Sequence, residues 1–247
     1  MKNFFAGFLF TLFYIGTENA CSQVIVANPL FPSDNATVTL TYDASQGNQA
    51  LKDFTGDIYI HTGVITNLST SPSDWKHVVT TWASTNPLHK LTPLGDNKYS
   101  FTIANIRTWY NVPVSETILQ LAMVFRNADG SIVGRNADGS DIFYDVWDGV
   151  TLQTSFLAPS NNPVFLNLNE TLQTTFVVSK PVTISLFQNG TLVDQVFNTD
   201  SITATLTATV DGKSWVTASA DDGITQVADS FYFVVNPPVT IADLPSG

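Results

Sequence analysis

The sequence predicts an all-β protein built from two tandem, immunoglobulin-like β-sandwich domains. Three observations lead to this prediction. Thr, Ser, Val and Asn are abundant whereas Glu and Lys are scarce, a composition that favours strands and turns over helices. Many short segments alternate apolar and polar residues with a period of two. Turn-forming residues separate these segments at the spacing typical of a sandwich.

The first set of strands is expected between Thr37 and Trp147. The clearest is Thr37–Tyr42, in which Val38, Leu40 and Tyr42 alternate with threonines. Residues 106–117 are expected to hold a short helical turn. Turn sequences with Pro, Asn, Asp and Gly separate the other expected strands, which are Asp57–His61, Val78–Trp82, Tyr99–Ile103, Ile118–Arg126 and Ile142–Trp147.

A domain boundary is predicted near residues 149–163, where Asp-Gly is followed by Ala-Pro-Ser-Asn-Asn-Pro. Asn189-Gly190 lies between two apolar segments and predicts a β-hairpin. We expect domains at 23–150 and 151–236, and 237–247 as a linker to a further domain. The strands expected in the second domain are Phe176–Val178, Val182–Phe187, Leu192–Phe197, Ile202–Val210, Trp215–Ala218 and Phe231–Val235.

The N-terminus has the pattern of an export signal. Lys2 precedes an apolar segment, Phe4–Ile15, that is too short to span a bilayer comfortably, and small residues allow cleavage after Ser22. We therefore predict a signal peptide at 1–22. A rival interpretation makes Cys21, the only cysteine, the lipid-attachment residue of a lipoprotein. In either case the protein is expected to be secreted or on the outer-membrane surface, without a disulfide framework or a membrane span.

Charge and composition exclude several functions. The formal net charge of −11 argues against nucleic acid or anionic membrane as a partner, since both attract basic patches. Hydrolysis of a glycosidic bond needs two carboxyl groups that flank it. The predicted mature chain has only two glutamates, Glu116 and Glu170, which fall in different predicted domains, and its many aspartates lie in turn sequences. We therefore expect no catalytic site within these residues.

Part of the chain resembles a known family. The segments are YDASQGNQALKDFTGDIYIHTGV (42–64), the following Trp75 and Trp82, and VFRNADGSIVGRNADGSDIFYDV (124–146). They resemble the N-terminal module of secreted α-amylases from Bacteroidota, which belong to glycoside hydrolase family thirteen, and more distantly starch-binding modules. In those enzymes an immunoglobulin-like segment and the catalytic barrel follow. The resemblance implies a non-catalytic segment that binds α-glucan, such as starch or maltooligosaccharides, and targets a downstream barrel to it.

The expected site combines aromatic and polar side chains. A solvent-facing indole can cover the apolar C–H face of glucose while its N–H donates to a hydroxyl. The resemblance implies that His61 binds a glucose hydroxyl. Trp82 could equally pack in the core, and the histidine could be a strand-end residue beside a glycine turn. The expected ligand-binding residues are His61, Trp75, Trp82, Asn136, Asp138 and Asp141.

The repeated Asn-Ala-Asp-Gly-Ser sequences at 127–131 and 136–140 leave two interpretations open. Oxygen-rich loops suit calcium, but neither run has the spacing of an EF-hand loop. A hairpin turn or a sugar-contacting loop is the simpler interpretation. The three histidines have no ligand spacing, so no cofactor is expected.

An alternative function belongs to another class. The chain could be a structural or adhesion spacer of an exported multidomain protein, with no ligand of its own. In that case the tryptophans should be buried and no aromatic platform should form.

Overall fold

The computed structural model describes residues 24–159 and 163–237. Within these residues nearly all regular structure is β, which confirms the prediction of an all-β sandwich fold. The buried apolar residues form two separate clusters, one drawn from residues 25–146 and the other from residues 152–235. The predicted signal peptide, with Cys21, and residues 238–247 of the predicted linker lie outside the described residues.

The first domain has two antiparallel sheets. One sheet has the order β1-β2-β5-β4, and in the other β3 pairs with β6, which also pairs with both β7 and β8. A one-turn helix, α1 (Ile106–Trp109), lies within the predicted helical segment, and a 3-10 turn spans Pro87–His89. The strands are β1 (Ile25–Asn28), β2 (Val38–Asp43), β3 (Tyr59–Thr66), β4 (Thr92–Gly95), β5 (Lys98–Ile103), β6 (Ile118–Arg126), β7 (Val133–Gly134) and β8 (Ile142–Asp145).

The core of this domain lies between the two sheets. In β2 the alternating residues Val38, Leu40 and Tyr42 are all buried, as their spacing predicts. The Tyr42 ring stacks on Phe125 of β6, with 3.9 Å between ring centroids. Burial of one such side chain stabilises the fold by roughly 1.5–3 kcal/mol. This contact therefore helps to hold the sheet that carries β3 and β6 against the other sheet.

The second domain is a single six-stranded sheet that folds over its own core. The strand order is β10-β14-β13-β11-β12, with β9 paired to β11. Residues 175–178 of β11 pair with β9, whereas residues 183–188 pair with β13. The register of β11 with β12 shifts between Val177 and Val182, where the change of partner occurs. The strands are β9 (Thr154–Ala158), β10 (Val164–Asn167), β11 (Thr171–Gln188), β12 (Thr191–Thr207), β13 (Gly212–Asp221) and β14 (Gln226–Asn236).

The change of partner along β11 produces the two layers of this sandwich. Phe156 of β9 contacts Phe231 of β14 edge to face across the core, with 4.9 Å between centroids. The predicted Asn189-Gly190 hairpin is confirmed, because these residues join β11 to β12 with φ values of 50° and 79°. Positive φ at both central residues is what a type I′ turn requires.

Several predicted strands differ from the structure. The prediction of a strand at Val78–Trp82 is wrong, because the chain there is irregular and His77 and Ala83, on either side, have positive φ. Among the described residues, the only β-bridge between the 67–86 segment and β3 is the isolated one of Val64 with Lys76. In the second domain, the four separate strands expected between residues 176 and 210 are two long strands. The register of β11 with β12 shifts within these two strands, and no turn divides either of them.

Candidate functional site

A cleft lies on the outer side of the sheet that contains β3 and β6. His61 of β3 and Val124 of β6 are cross-strand partners, and Val124 is buried outside the core cluster. The 67–86 segment, which connects β3 to the 3-10 turn, contributes much of the wall. The cleft has a volume of about 390 Å³ and is lined by His61, Ser73, Asp74, Trp75, Val78, Trp82, Val124, Arg135 and Asp141.

Two tryptophans flank the His61 ring. The ring centroid of Trp75 lies 5.9 Å from that of His61, and their planes differ by 30°. Trp82 meets the same imidazole edge to face, at 5.1 Å and 89°. The two indole planes are therefore steeply inclined to each other. Trp82 is 44% exposed, whereas Trp75 is half-buried.

Trp75 is fixed by a hydrogen bond of its indole and by the backbone hydrogen bonds of the next residue. Its indole Nε1 donates a hydrogen bond to the carbonyl oxygen of Pro72 at 3.1 Å. The neighbouring Lys76 exchanges two backbone hydrogen bonds with Val64, which brings the 67–86 segment against β3. A Cβ atom at Gly63 would lie 2.8 Å from the Lys76 carbonyl oxygen, so a glycine is needed there. The indole N–H already donates to Pro72, so a ligand would contact Trp75 through the face of its ring.

Trp82 lies against Gly130, where an added Cβ atom would be 2.7 Å from the indole nitrogen. The guanidinium of Arg126 is 5.7 Å from the Trp82 ring and 5.4 Å from the Tyr59 ring, within the range of cation–π attraction. Arg126 is buried, which lowers its pKa, and it pairs with no carboxylate in the residues that the structure describes. It donates instead to three loop carbonyls, those of Ser84, Asn127 and Ala128.

Ion pairs define the polar rim of the cleft. Arg135 donates to Oδ1 of Asp141, and Lys76 lies 2.8 Å from Oδ1 of Asp74. The hydrogen bond from Lys76 and those from Thr70 lower the pKa of Asp74 to about 2. Asp74 is therefore ionised at neutral pH. Both rim carboxylates have a cation beside them, and Oδ2 of Asp141 forms no hydrogen bond with any described residue.

The structure brings four of the six expected residues together at this cleft, namely His61, Trp75, Trp82 and Asp141. Asn136 and Asp138 do not line it. The Asn136 amide donates to Ser140 Oγ and to the Asp141 carbonyl oxygen, and the Asp138 carboxylate accepts from the Ser140 backbone and hydroxyl. These two residues shape the turn that precedes Asp141, because Nδ2 of Asn136 and Oδ1 of Asp138 bond within the loop.

Sequence reasoning missed three residues that the site depends on, Thr80, Arg126 and Arg135. Thr80 contacts residues 18 and 19 positions away, and Arg126 joins its own loop to Ser84, 42 positions away, so no local spacing marks these contacts. Arg126 had one usable signal. It ends a strand whose preceding five residues, 121–125, are all apolar, and a buried charge there requires a special environment.

The two Asn-Ala-Asp-Gly-Ser loops have the hydrogen bonding of structural turns. Asp129 Oδ1 accepts from the backbone and hydroxyl of Ser131, as Asp138 does from Ser140. Across residues 24–159 and 163–237, no group of three or more His, Cys, Asp or Glu side chains is placed to hold a metal ion. The same residues contain no helix with the length and apolarity needed to cross a membrane.

Comparison with known proteins gives a family match for part of the chain. Residues 25–133 match the model of a domain of unknown function, DUF8578. The matched segment contains His61, Trp75 and Trp82 but ends before Arg135 and Asp141. No curated protein sequence matches the chain.

Solved structures with similar folds are distant. The fibronectin(III)-like modules of CbhA from Clostridium thermocellum match 36% of this chain and all of that chain, with 15% identity and a TM-score of 0.30. The BSP domain of a biofilm associated protein matches 85% of this chain and 29% of that chain, with 10% identity and a TM-score of 0.35. A chimeric titin Z1Z2 tandem matches 87% of this chain and 97% of that chain, with 11% identity and a TM-score of 0.28. These values identify neither a ligand nor a partner.

Proposed function

We propose that the first domain binds α-glucan chains, such as starch or maltooligosaccharides, in the cleft around His61 and does not cleave them. The observation that carries the proposal is the placement of the His61 imidazole between Trp75 and Trp82, beside the Arg135–Asp141 ion pair. Aromatic faces bind the C–H faces of a pyranose, and the charged rim can exchange hydrogen bonds with its hydroxyls.

The inclination of the two indoles favours a curved ligand. Flat glucans with β-1,4 linkages present their sugar faces in nearly one plane, and coplanar aromatic rings match them best. Chains with α-1,4 linkages turn as a helix, so successive glucose faces are inclined. The angles of 30° and 89° that His61 makes with Trp75 and Trp82 produce an angled surface rather than a flat one.

The carboxylates of the cleft support binding without hydrolysis. Glycosidases need one carboxyl group whose pKa is raised, so that it can donate a proton to the leaving oxygen. Asp74 and Asp141 are the carboxylates among the described lining residues, and each is ion-paired. The pKa of Asp74 is lowered, which is opposite to the requirement for a general acid.

We further propose that the chain belongs to an exported α-amylase, as the resemblance of residues 42–64 and 124–146 implies. The first domain would hold insoluble starch near a downstream catalytic barrel and raise the local substrate concentration. Each site should bind weakly, because the cleft is open and sugar hydroxyls exchange water for protein at little net gain. The second domain would act as a spacer between this site and the barrel.

Affinity electrophoresis of the full chain tests the proposal. The wild type should migrate more slowly in native gels that contain soluble starch than in gels without it, and soluble β-glucan should retard it less. Trp82→Ala should abolish most of the retardation. Trp215→Ala is a matched control, since Trp215 is 46% exposed but lies in the second domain. Wild-type migration that starch does not change would refute the proposal, and equal retardation of the Trp82 variant would place the site elsewhere.

A further inference from the structure

Thr80 is a buried residue of the 67–86 segment that contacts two neighbouring residues of β3. Its hydroxyl Oγ1 accepts a hydrogen bond from the backbone N–H of Thr62 at 3.1 Å. The same oxygen lies 2.7 Å from Nδ1 of the His61 ring. Thr80 is only 7% exposed, so water has little access to this pair of contacts.

The direction of the second hydrogen bond follows from the first. The Thr62 N–H can only donate, so Oγ1 of Thr80 is an acceptor in that contact. A hydroxyl also has one proton to donate, and a buried donor without a partner is costly. Among the described residues, the only acceptor in hydrogen-bond contact with Oγ1 is Nδ1 of His61. The hydroxyl proton therefore points to Nδ1, and Nδ1 carries no proton of its own.

A neutral imidazole with an unprotonated Nδ1 carries its proton on Nε2. In the part of the chain that the structure describes, Nε2 of His61 has no hydrogen-bond partner, and His61 lines the cleft. Asp141, whose Oδ2 forms no hydrogen bond with any described residue, lines the same cleft. The cleft therefore has both a donor and an acceptor that are free to bind a ligand.

The charges around His61 favour its neutral form. Burial and the nearby guanidinium of Arg126 lower the pKa of His61, as does His89, whereas Asp141 acts in the opposite direction. The other charged side chains that line the cleft, Asp74 and Arg135, are paired with opposite charges. Protonation of His61 would also place a proton on Nδ1, facing the hydroxyl proton of Thr80.

We propose that Thr80 is a positioning residue that keeps His61 neutral with its proton on Nε2, so that the cleft donates a hydrogen bond to one sugar hydroxyl while Asp141 accepts from another. The statement about the ligand rests on the proposed glucan binding. The statement about the His61 proton does not, because it can be measured in the free protein.

Nitrogen-15 NMR of the full-length protein at pH 7.5 tests the position of the proton, with the His61 signals assigned by their loss in a His61→Gln variant. The wild type should show a proton on Nε2 and none on Nδ1. Thr80→Val keeps the shape but removes the hydroxyl, so a substantial fraction of His61 should carry its proton on Nδ1. Thr80→Ser restores the hydroxyl and should give the wild-type spectrum.

Starch gels then test the ligand. Thr80→Val should bind roughly five-fold more weakly, as expected for the loss of one hydrogen bond, and Thr80→Ser should bind like the wild type. A wild-type spectrum with the proton on Nδ1 would overturn the proposal even if Thr80→Val does not fold. An unchanged tautomer and unchanged starch binding in a folded Thr80→Val protein would also overturn it. If the wild type shows the Nε2 proton but no retardation by starch, the glucan proposal fails and the assignment of the proton stands.

Discussion

The two Asn-Ala-Asp-Gly-Ser loops of the first domain have the same local structure but different surroundings. In each loop the asparagine amide donates to the serine hydroxyl, and the aspartate accepts from the serine backbone and hydroxyl. The glycines have similar positive φ values, 74° at Gly130 and 83° at Gly139. Five residues are therefore sufficient to specify the turn, whichever surface it faces.

The surroundings decide what each turn does. Gly130 lies against the Trp82 indole, whereas no atom is within 4 Å of a Cβ placed at Gly139. The carbonyls of Asn127 and Ala128 also accept from the buried Arg126. The first loop thus supports a wall of the cleft, and the second loop leads to Asp141 at its rim. Identical sequences have acquired different roles through their contacts with distant residues.

The largest expected difference between the loops concerns ligand binding. Gly130→Ala and Gly139→Ala should both destabilise the fold by about 1 kcal/mol, because alanine is strained at positive φ. Only Gly130→Ala also displaces Trp82. We expect its starch affinity to fall by roughly ten-fold, or about 1.4 kcal/mol, while Gly139→Ala binds like the wild type. Retardation in starch gels measures the affinity of both variants. Equal losses of starch affinity would show that Gly130 has no special role.

A smaller difference is expected in stability. The Asn127 side chain is buried and satisfies the backbone N–H of Ile132, whereas Asn136 is more exposed. Asn127→Ala should lower the free energy of unfolding by about 2 kcal/mol, and Asn136→Ala by about 1 kcal/mol or less, because water can replace lost partners only at the exposed site. Urea unfolding provides the values. A larger loss at Asn136 would contradict the importance of burial.

The smallest expected effect, the contribution of the ionised aspartate to stability, should be the same in both loops. The hydrogen bonds from Ser131 and Ser140 lower the pKa values of Asp129 and Asp138. Each ionised carboxylate therefore contributes stability above the pKa of the unfolded chain, and this contribution is lost as the pH falls through the lower pKa of the folded state. Asp129→Asn and Asp138→Asn should each lower the melting temperature slightly at pH 7, and the difference from wild type should shrink as the pH falls through the pKa of the folded state. Unequal shifts at pH 7 would show that the loops are electrostatically distinct.

Local patterns predicted much of the fold. The alternation of Val38, Leu40 and Tyr42 predicted β2, and Asn189-Gly190 predicted a hairpin, because period and turn chemistry depend on neighbouring residues. The same alternation was misleading at Val78–Trp82. There the side chains are held by contacts to other parts of the chain, such as Thr80 to His61, and not by pairing in a ladder.

The candidate binding site was harder to predict than the fold. The grouping of His61, Trp75 and Trp82 was expected only through the family resemblance, since composition does not show that the 67–86 segment folds back on β3. The contacts of Arg126 with Ser84 and of Thr80 with His61 could not be predicted, because only the tertiary fold brings these partners close. Most of the expected ligand contacts could be proposed from sequence, whereas Arg135 at the rim and the supporting residues Thr80 and Arg126 could not.

The passage of β11 through both layers of the second domain has a consequence for how that domain opens. One strand supplies hydrogen bonds to β9 at one end and to β13 at the other. Neither layer can detach without removing a partner from the other. The slowest-exchanging amide protons of β9 and β13 should therefore give the same free energy of opening in hydrogen–deuterium exchange, as expected for a single cooperative unit.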